Sequence, residues 1–176
     1  MRCCDEIKFS RLISFNPNLR LSLWKTPEEA RKRILYGMKQ CDIMKISEEE
    51  VAFVSAQESL EEGVSFIRDN SDIKILFVTL GNKGSIAYYK DEKIYCRGIH
   101  QEHVVDTTGA GDTFCGAVLS RILELGTDAL TEKDIREMLL FANAAASIVV
   151  TRKGALCSMP EPEEIRAASS LIDKVL

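Results

Sequence analysis

The 176-residue chain has little of what several common functional classes require. It carries only two histidines, His100 and His103, too few and too isolated for a transition-metal site; a turn or strand edge is the expected setting. Its six cysteines (Cys3, Cys4, Cys41, Cys96, Cys115 and Cys157) form neither C-x-x-C pairs nor a regular framework. The opening stretch MRCCDEIKFSRLISF has acidic residues where a signal peptide needs an apolar core, and no apolar run approaches bilayer length. A cytoplasmic setting is therefore expected, with reduced thiols, several of them core filler. There is no excess of positive charge either. The net charge is −4, so neither a nucleic acid nor an anionic membrane is an expected partner, and any anionic ligand must be held locally. Low-complexity linkers and internal repeats are also missing, which leaves one domain-sized unit spanning residues 1–176.

What is present suits a globular α/β protein: 45% hydrophobic and 28% charged residues, enough chain to bury a core. LISF (Leu12–Phe15), DIMKI (Asp42–Ile46) and IKILFVTL (Ile73–Leu80) are strand candidates, the last without polar alternation, as for a strand buried on both faces. Between them lie helical stretches. TPEEARKRILYGMKQ has Thr26 as N-cap and Pro27 at the first helical position, with Glu28 and Glu29 favourable to the helix dipole. SEEEVAFV opens a second helix at Ser47, which SLEEGVSFIRD continues or restarts. Strand and helix in alternation predict right-handed crossovers and a parallel sheet covered by helices. GSIAYYKDEKIYCRG reads as a hairpin turning at Lys90–Lys93. The last third is mostly helical: Gly111 to about Leu125, Thr131 to about Val149, and a helix after PEPEEI. CDEIKFSRL resembles the tail of a helix running straight into a strand.

The stretch with the most chemistry is VVDTTGAGDTFCGAVL, Val104–Leu119. Gly109, Ala110 and Gly111 lack bulk, so their N–H groups can converge on one oxyanion at a helix N-terminus. A P-loop would need G-x-x-x-x-G-K-[ST], and none occurs; a dinucleotide fingerprint would need glycine where Phe114 stands. Asp112 would repel a ground-state pyrophosphate at close range. Its charge makes sense if a neutral hydroxyl approaches it, gives up its proton to the carboxylate, and attacks a phosphoryl group held by the adjacent amides. The competing reading is a glycine-rich turn capped by aspartate.

D-T-T-G-A-G-D resembles the C-terminal signature D-T-x-G-A-G-D of the ribokinase-like (PfkB-type) carbohydrate kinases, and the resemblance covers nearly the whole chain. It implies a ribokinase-like, parallel-sheet, three-layer α/β fold, with Asp112 as catalytic base and Gly109–Gly111 as anion hole. FVTLGNKGSIAYY is similar to the family's nucleotide segment T-x-G-x-x-G, with Thr79, Gly81 and Gly84 in place, although alone TLGNKG reads better as a strand-ending turn. FANAAASIVVTRKGALCSMP is similar to the closing segment, which implies Asn143 near the adenine; alone, it is a tightly packed helix of small residues. The same resemblance implies a potassium ion around Asp106, Thr108, Val149, Arg152, Gly154 and Ser158. Where the family has N-x-x-E, tied to magnesium and phosphate effects, this chain has Ser47 and Glu50. By spacing, S-E-E-E is a capping box, the favoured reading for Ser47 over a cofactor contact, whereas Glu50 stands between the two roles.

SFNPNLRLSLW resembles F-D-P-N-x-R-x-x-L-W of the fructokinase branch, with Asn16 where aspartate is usual. It makes Arg20, beside Asn18, a candidate phosphate clamp, since a planar guanidinium can hold phosphate oxygens bidentately; a solvated loop arginine is the alternative. Trp24 is expected to pack rather than to bind sugar. Family members are longer, and their N-terminal half supplies further strands, a β lid and most of the sugar grip, so the resemblance implies a chain lacking these; the sheet edge left exposed would then bring marginal solubility or self-association unless a partner covers it. The function implied is an ATP-dependent sugar kinase using Mg²⁺ and K⁺, with fructose as acceptor. The alternatives are a nucleotide-binding remnant without turnover and a nucleoside kinase of the same superfamily.

Overall fold

The computed structural model describes residues 12–154 and 156–172; the CDEIKFSRL segment lies outside them except for Leu12. The chain divides into two compact units. The first runs through Thr79 and takes in Tyr88–Asp91; the second comprises Leu80–Ala87 and the chain from Glu92 onward.

The first unit begins with the short strand β1 (Ser14–Phe15), a 3₁₀ turn at Leu21–Leu23 and helix α1 (Pro27–Met38). Thr26 caps α1 by accepting the Glu29 N–H, and Pro27 stands at the first turn. Strand β2 (Ile43–Ser47) leads into α2 (Glu48–Ser55), α3 (Leu60–Asp69) and β3 (Ile75–Thr79). The second helical stretch restarts rather than continues, because Ala56 takes a left-handed conformation and Ser59 caps α3 anew through the Glu62 N–H. Strands β1, β2 and β3 pair in parallel, with Ser14 opposite Ile43 and Ile43 opposite Ile75. Asp42 pins the start of this ladder. One carboxylate oxygen accepts the Ile13 N–H at 2.9 Å, and the other pairs with Lys74 Nζ at 3.3 Å.

Both β2 and β3 show four successive buried residues, the pattern of strands covered on both faces. In β2 that run includes Lys45, 7% exposed, whose ammonium makes no hydrogen bond or ion pair among the described residues. Burying an unpaired cation is unfavourable even when the tip reaches water. Lys45→Met is therefore expected to be neutral or to stabilise the fold by about 1 kcal/mol. Urea denaturation checks this, and a lowered midpoint would contradict it.

The second unit opens with a 3₁₀ turn (Gly81–Lys83) and strand β4 (Gly84–Tyr89), whose last two residues belong to the first unit. Strand β5 (Glu92–Arg97) follows after the two-residue turn Lys90-Asp91, so the expected hairpin forms. Helices α4 (Ala110–Leu125), α5 (Glu132–Val149) and α6 (Pro162–Ile172) complete it. Helix α6 starts inside PEPEEI rather than after it, since Pro162 suits a first helical turn. Helix α5 packs on α4, β5 and α6, burying Ile135, Met138, Leu139 and a run of alanines. Cys41 and Cys96 are buried and serve as core, but Cys157 is exposed; none of the four described cysteines is in a disulfide. Burial and the neighbouring Asp42 charge push the Cys41 thiol up to about 12, so it stays protonated. His100 and His103 are exposed in the irregular segment between β5 and α4. No helix among the described residues is long and apolar enough to cross a membrane.

Candidate active site

The second unit assembles the D-T-T-G-A-G-D stretch from both ends. Val105 and Asp106 donate their N–H groups to Val150 O at 2.7 and 3.2 Å, tying the segment before α4 to the end of α5. Asp106 then closes a local turn, one oxygen accepting the Thr108 N–H at 2.9 Å while the other accepts the Gly154 N–H at 3.4 Å. The Thr108 hydroxyl and N–H hold the Asp106 carboxyl below the usual aspartate range, with smaller contributions from the Gly154 N–H and the Lys153 charge. A depressed carboxyl stabilises the fold above its unfolded-state pKa, and the benefit is lost as pH falls through the folded one. NMR titration of this carboxyl is expected to show a midpoint below that of a free aspartate, moving upward in Thr108→Val.

Gly109 occupies the N-cap of α4 with φ 84° and ψ −8°, a left-handed conformation glycine adopts without strain, and no side chain caps the helix. Ala110 N–H is directed to Thr107 O at 3.3 Å, while Thr113 N–H closes the first turn onto Gly109 O at 2.8 Å. The N–H of Gly111 lies in that turn, among the N-terminal donors that a helix leaves without an intrahelical partner. Asp112 is an exposed acidic residue of the same turn, whereas Phe114, Ala117, Val118 and Ile122 face the core. Next to it Thr113 is buried, and its hydroxyl finds no partner. This uncapped, glycine-opened helix start, with a carboxylate at hand, can hold an anion and accept a proton within one turn.

The residues named for the monovalent cation form one connected cluster. Besides the Asp106–Thr108–Gly154 links, Ser158 donates its hydroxyl to Gly154 O, and Arg152 reaches Ser158 O at 3.5 Å. Arg152 also pairs with Glu164 of α6, and Val149 O accepts the Arg152 N–H at 3.0 Å. The cluster thus gathers the Asp106 carboxylate and the carbonyls of Val149, Gly154 and Ser158, all hard oxygen donors, with the Arg152 guanidinium among them. Among the described residues no group of three or more His, Cys, Asp or Glu offers a divalent cage.

Gly81 and Gly84 behave differently. At Gly81 φ is +60° and nothing stands within 4 Å of a Cβ position, so the backbone is open to close approach. At Gly84 φ is +115°, and a Cβ would lie 2.2 Å from Cys96 O and 2.4 Å from Gly98 N, so glycine is required by the crossing of two backbones. Asn143 of α5 is buried, and its amide is fully engaged. It accepts from Ser85 Oγ at 3.0 Å and donates to Cys96 O and Arg97 O at 3.2 and 3.4 Å, locking helix to hairpin.

In the first unit, Ser47 and Glu50 form the capping box, and Thr79 Oγ1 reaches Ile46 O at 3.5 Å. Arg20 is exposed at the head of the 3₁₀ turn, with Nη1 on Leu19 O at 3.0 Å. Two features escaped the sequence reading. The second carboxylate oxygen of Glu50 accepts the Leu19 N–H at 2.6 Å, a contact across 31 residues that no local pattern announces. Lys45 could have been noticed as the single charge in an apolar strand.

The parallel β/α units with a helix start of this kind define the class as a ribokinase-like α/β protein. A solved double mutant of fructokinase from Vibrio cholerae O395, in fructose, ADP and potassium ion bound form, superposes with a TM-score of 0.84 at 31% identity, over 94% of this chain and 53% of that one. Fructokinase-1 of Oryza sativa subsp. japonica is 41% identical over 157 residues, 88% of this chain and 47% of that protein. Fructokinase-1 of Zea mays is 41% identical over 160 residues, with the same shares. The model of the pfkB family of carbohydrate kinases matches residues 1–162, and the chain belongs to that family. It spans about half the length of these two fructokinases.

Proposed function

We propose that the chain belongs to an ATP-dependent sugar kinase that transfers the γ-phosphoryl group to a sugar hydroxymethyl, with fructose as acceptor. The observation that carries this reading is Asp112, an exposed carboxylate in the first turn of a helix whose N-cap is a left-handed glycine. Asp112 takes the proton of the attacking hydroxyl, and the Gly109–Gly111 amides hold the oxygens of the phosphoryl group as charge shifts onto them. Arg20 supplies a planar cation for phosphate oxygens. Gly81 admits the nucleotide to its backbone, with Gly84 and Thr79 framing the segment and Asn143 fixing the hairpin beside it. Magnesium, where bound with ATP, would supply charge neutralisation at the phosphates. The Asp106–Gly154–Ser158 cluster with Thr108, Val149 and Arg152 would hold K⁺ next to the α4 start. The potassium ion bound in the Vibrio cholerae fructokinase supports that assignment.

Coverage of half the relatives' length favours keeping a second reading, nucleotide binding without turnover. Calorimetry with ATP–Mg²⁺ and a coupled assay with fructose separate the two. Binding with turnover supports the kinase reading, binding alone supports the second, and no binding overturns both.

A further inference from the structure

An N3 carboxylate needs only one oxygen to complete a capping box, and Glu50 uses Oε2 for this. Oε2 accepts the Ser47 N–H at 2.9 Å, while Ser47 Oγ accepts the Glu50 N–H at 3.2 Å. Its other oxygen, Oε1, accepts the Leu19 N–H at 2.6 Å. Glu50 is only 8% exposed. Both oxygens are thus aimed at backbone donors inside the first unit, a poor arrangement for a divalent ion that demands near-ideal octahedral geometry and keeps its waters.

The peptide that Glu50 grips is the one leading into Arg20. Asn18 precedes it with φ 45°, a left-handed turn that asparagine tolerates better than most residues. Leu19 then gives its N–H to Glu50 and its carbonyl to Arg20 Nη1 at 3.0 Å, while Arg20 O starts the 3₁₀ turn by accepting the Leu23 N–H at 3.0 Å. We infer that Glu50 is a positioning residue, which sets the Asn18–Leu19–Arg20 backbone and thereby aims the Arg20 guanidinium, and that it does not ligate the nucleotide's magnesium. The inference rests on the kinase reading for what Arg20 then binds.

The chain itself shows how to separate cap from clamp. In α5 the box is made by Thr131 and an aspartate, with Thr131 N–H on Asp134 Oδ2 at 2.8 Å and Asp134 N–H on Thr131 Oγ1 at 3.2 Å. Glu50→Asp should therefore keep the cap while its arm, shorter by about 1.5 Å, falls short of Leu19. The expected result by amide hydrogen exchange is a loss of Leu19 protection by about tenfold or more, with the α2 amides of Val54 and Ser55 unchanged. In the same variant, the Arg20 Nε resonance should respond less to ADP–Mg²⁺ than in the wild type, and the Mg²⁺ midpoint for ADP binding should not move. Unchanged Leu19 exchange overturns the inference, as does a shifted Mg²⁺ midpoint with Leu19 still protected. If the variant does not fold, the wild type decides: a Leu19 amide exchanging as fast as an unstructured one overturns the clamp, and a protected one supports it. A wild-type chain that binds no ADP–Mg²⁺ defeats the kinase reading and the role given to Arg20, whereas the Glu50–Leu19 link is judged by exchange alone.

Discussion

If the kinase reading holds, Asp112→Asn lowers sugar-phosphorylation turnover by about a thousandfold, with ATP–Mg²⁺ affinity held within about twofold. The substitution keeps the shape of a side chain in the first turn of α4 and removes its ability to accept a proton. Removing negative charge next to the phosphate cradle cannot weaken nucleotide binding through Coulomb repulsion, so any affinity change should be toward tighter binding. The backbone donors of Gly109–Gly111 are untouched, which leaves the anion hole to act alone. A coupled ADP-release assay and calorimetry on the same preparation separate the two effects. Near-normal turnover would remove Asp112 from the role of base, and lost ATP binding with it would point to a structural role for the carboxylate instead.

Gly84→Ala is expected to cost about 3 kcal/mol or more in stability, enough to unfold much of a marginally stable domain. Two penalties coincide there. At φ 115° and ψ −137°, Gly84 sits where side-chain-bearing residues are strained, and the added methyl would meet Cys96 O at 2.2 Å. The clash is with backbone, so no rotamer change relieves it. Gly81→Ala is the control, at about 1 kcal/mol, because its φ of +60° is left-handed but nothing stands within 4 Å of the new carbon. Thermal unfolding of the pair should show a much larger fall in Tm for Gly84→Ala. Equal falls would mean that the hairpin crossing yields more easily than its geometry suggests. If the kinase reading holds, Gly81→Ala should instead act on nucleotide affinity, since that backbone is the open one.

The contrast between these glycines shows where sequence reading stops. T-L-G-N-K-G gave both the same rank in a nucleotide segment, yet one faces open space and the other is wedged between Cys96 and Gly98. Ser47 is legible as a cap because the box depends on residues three apart, all within one helical turn. Glu50 stood between two roles because its second bond reaches residue 19, and spacing along the chain carries no record of that approach.

Local chemistry by itself determined most of the elements: Thr26, Ser47, Ser59 and Thr131 cap the four helices that follow them, and the runs DIMKI and IKILFVTL became the buried parallel strands β2 and β3. It also determined the glycine-opened start of α4 and the carboxylate within it, because both lie in seven consecutive residues. Tertiary structure alone decided which polar groups meet across long separations. Asp106 finds Gly154 at a distance of 48 residues, Asn143 finds Ser85 at 58, and Glu50 finds Leu19 at 31. The physical reason is that a cap or a strand pattern is paid for within a few residues, whereas these bonds form only after packing has brought remote backbone groups together and left them to be satisfied.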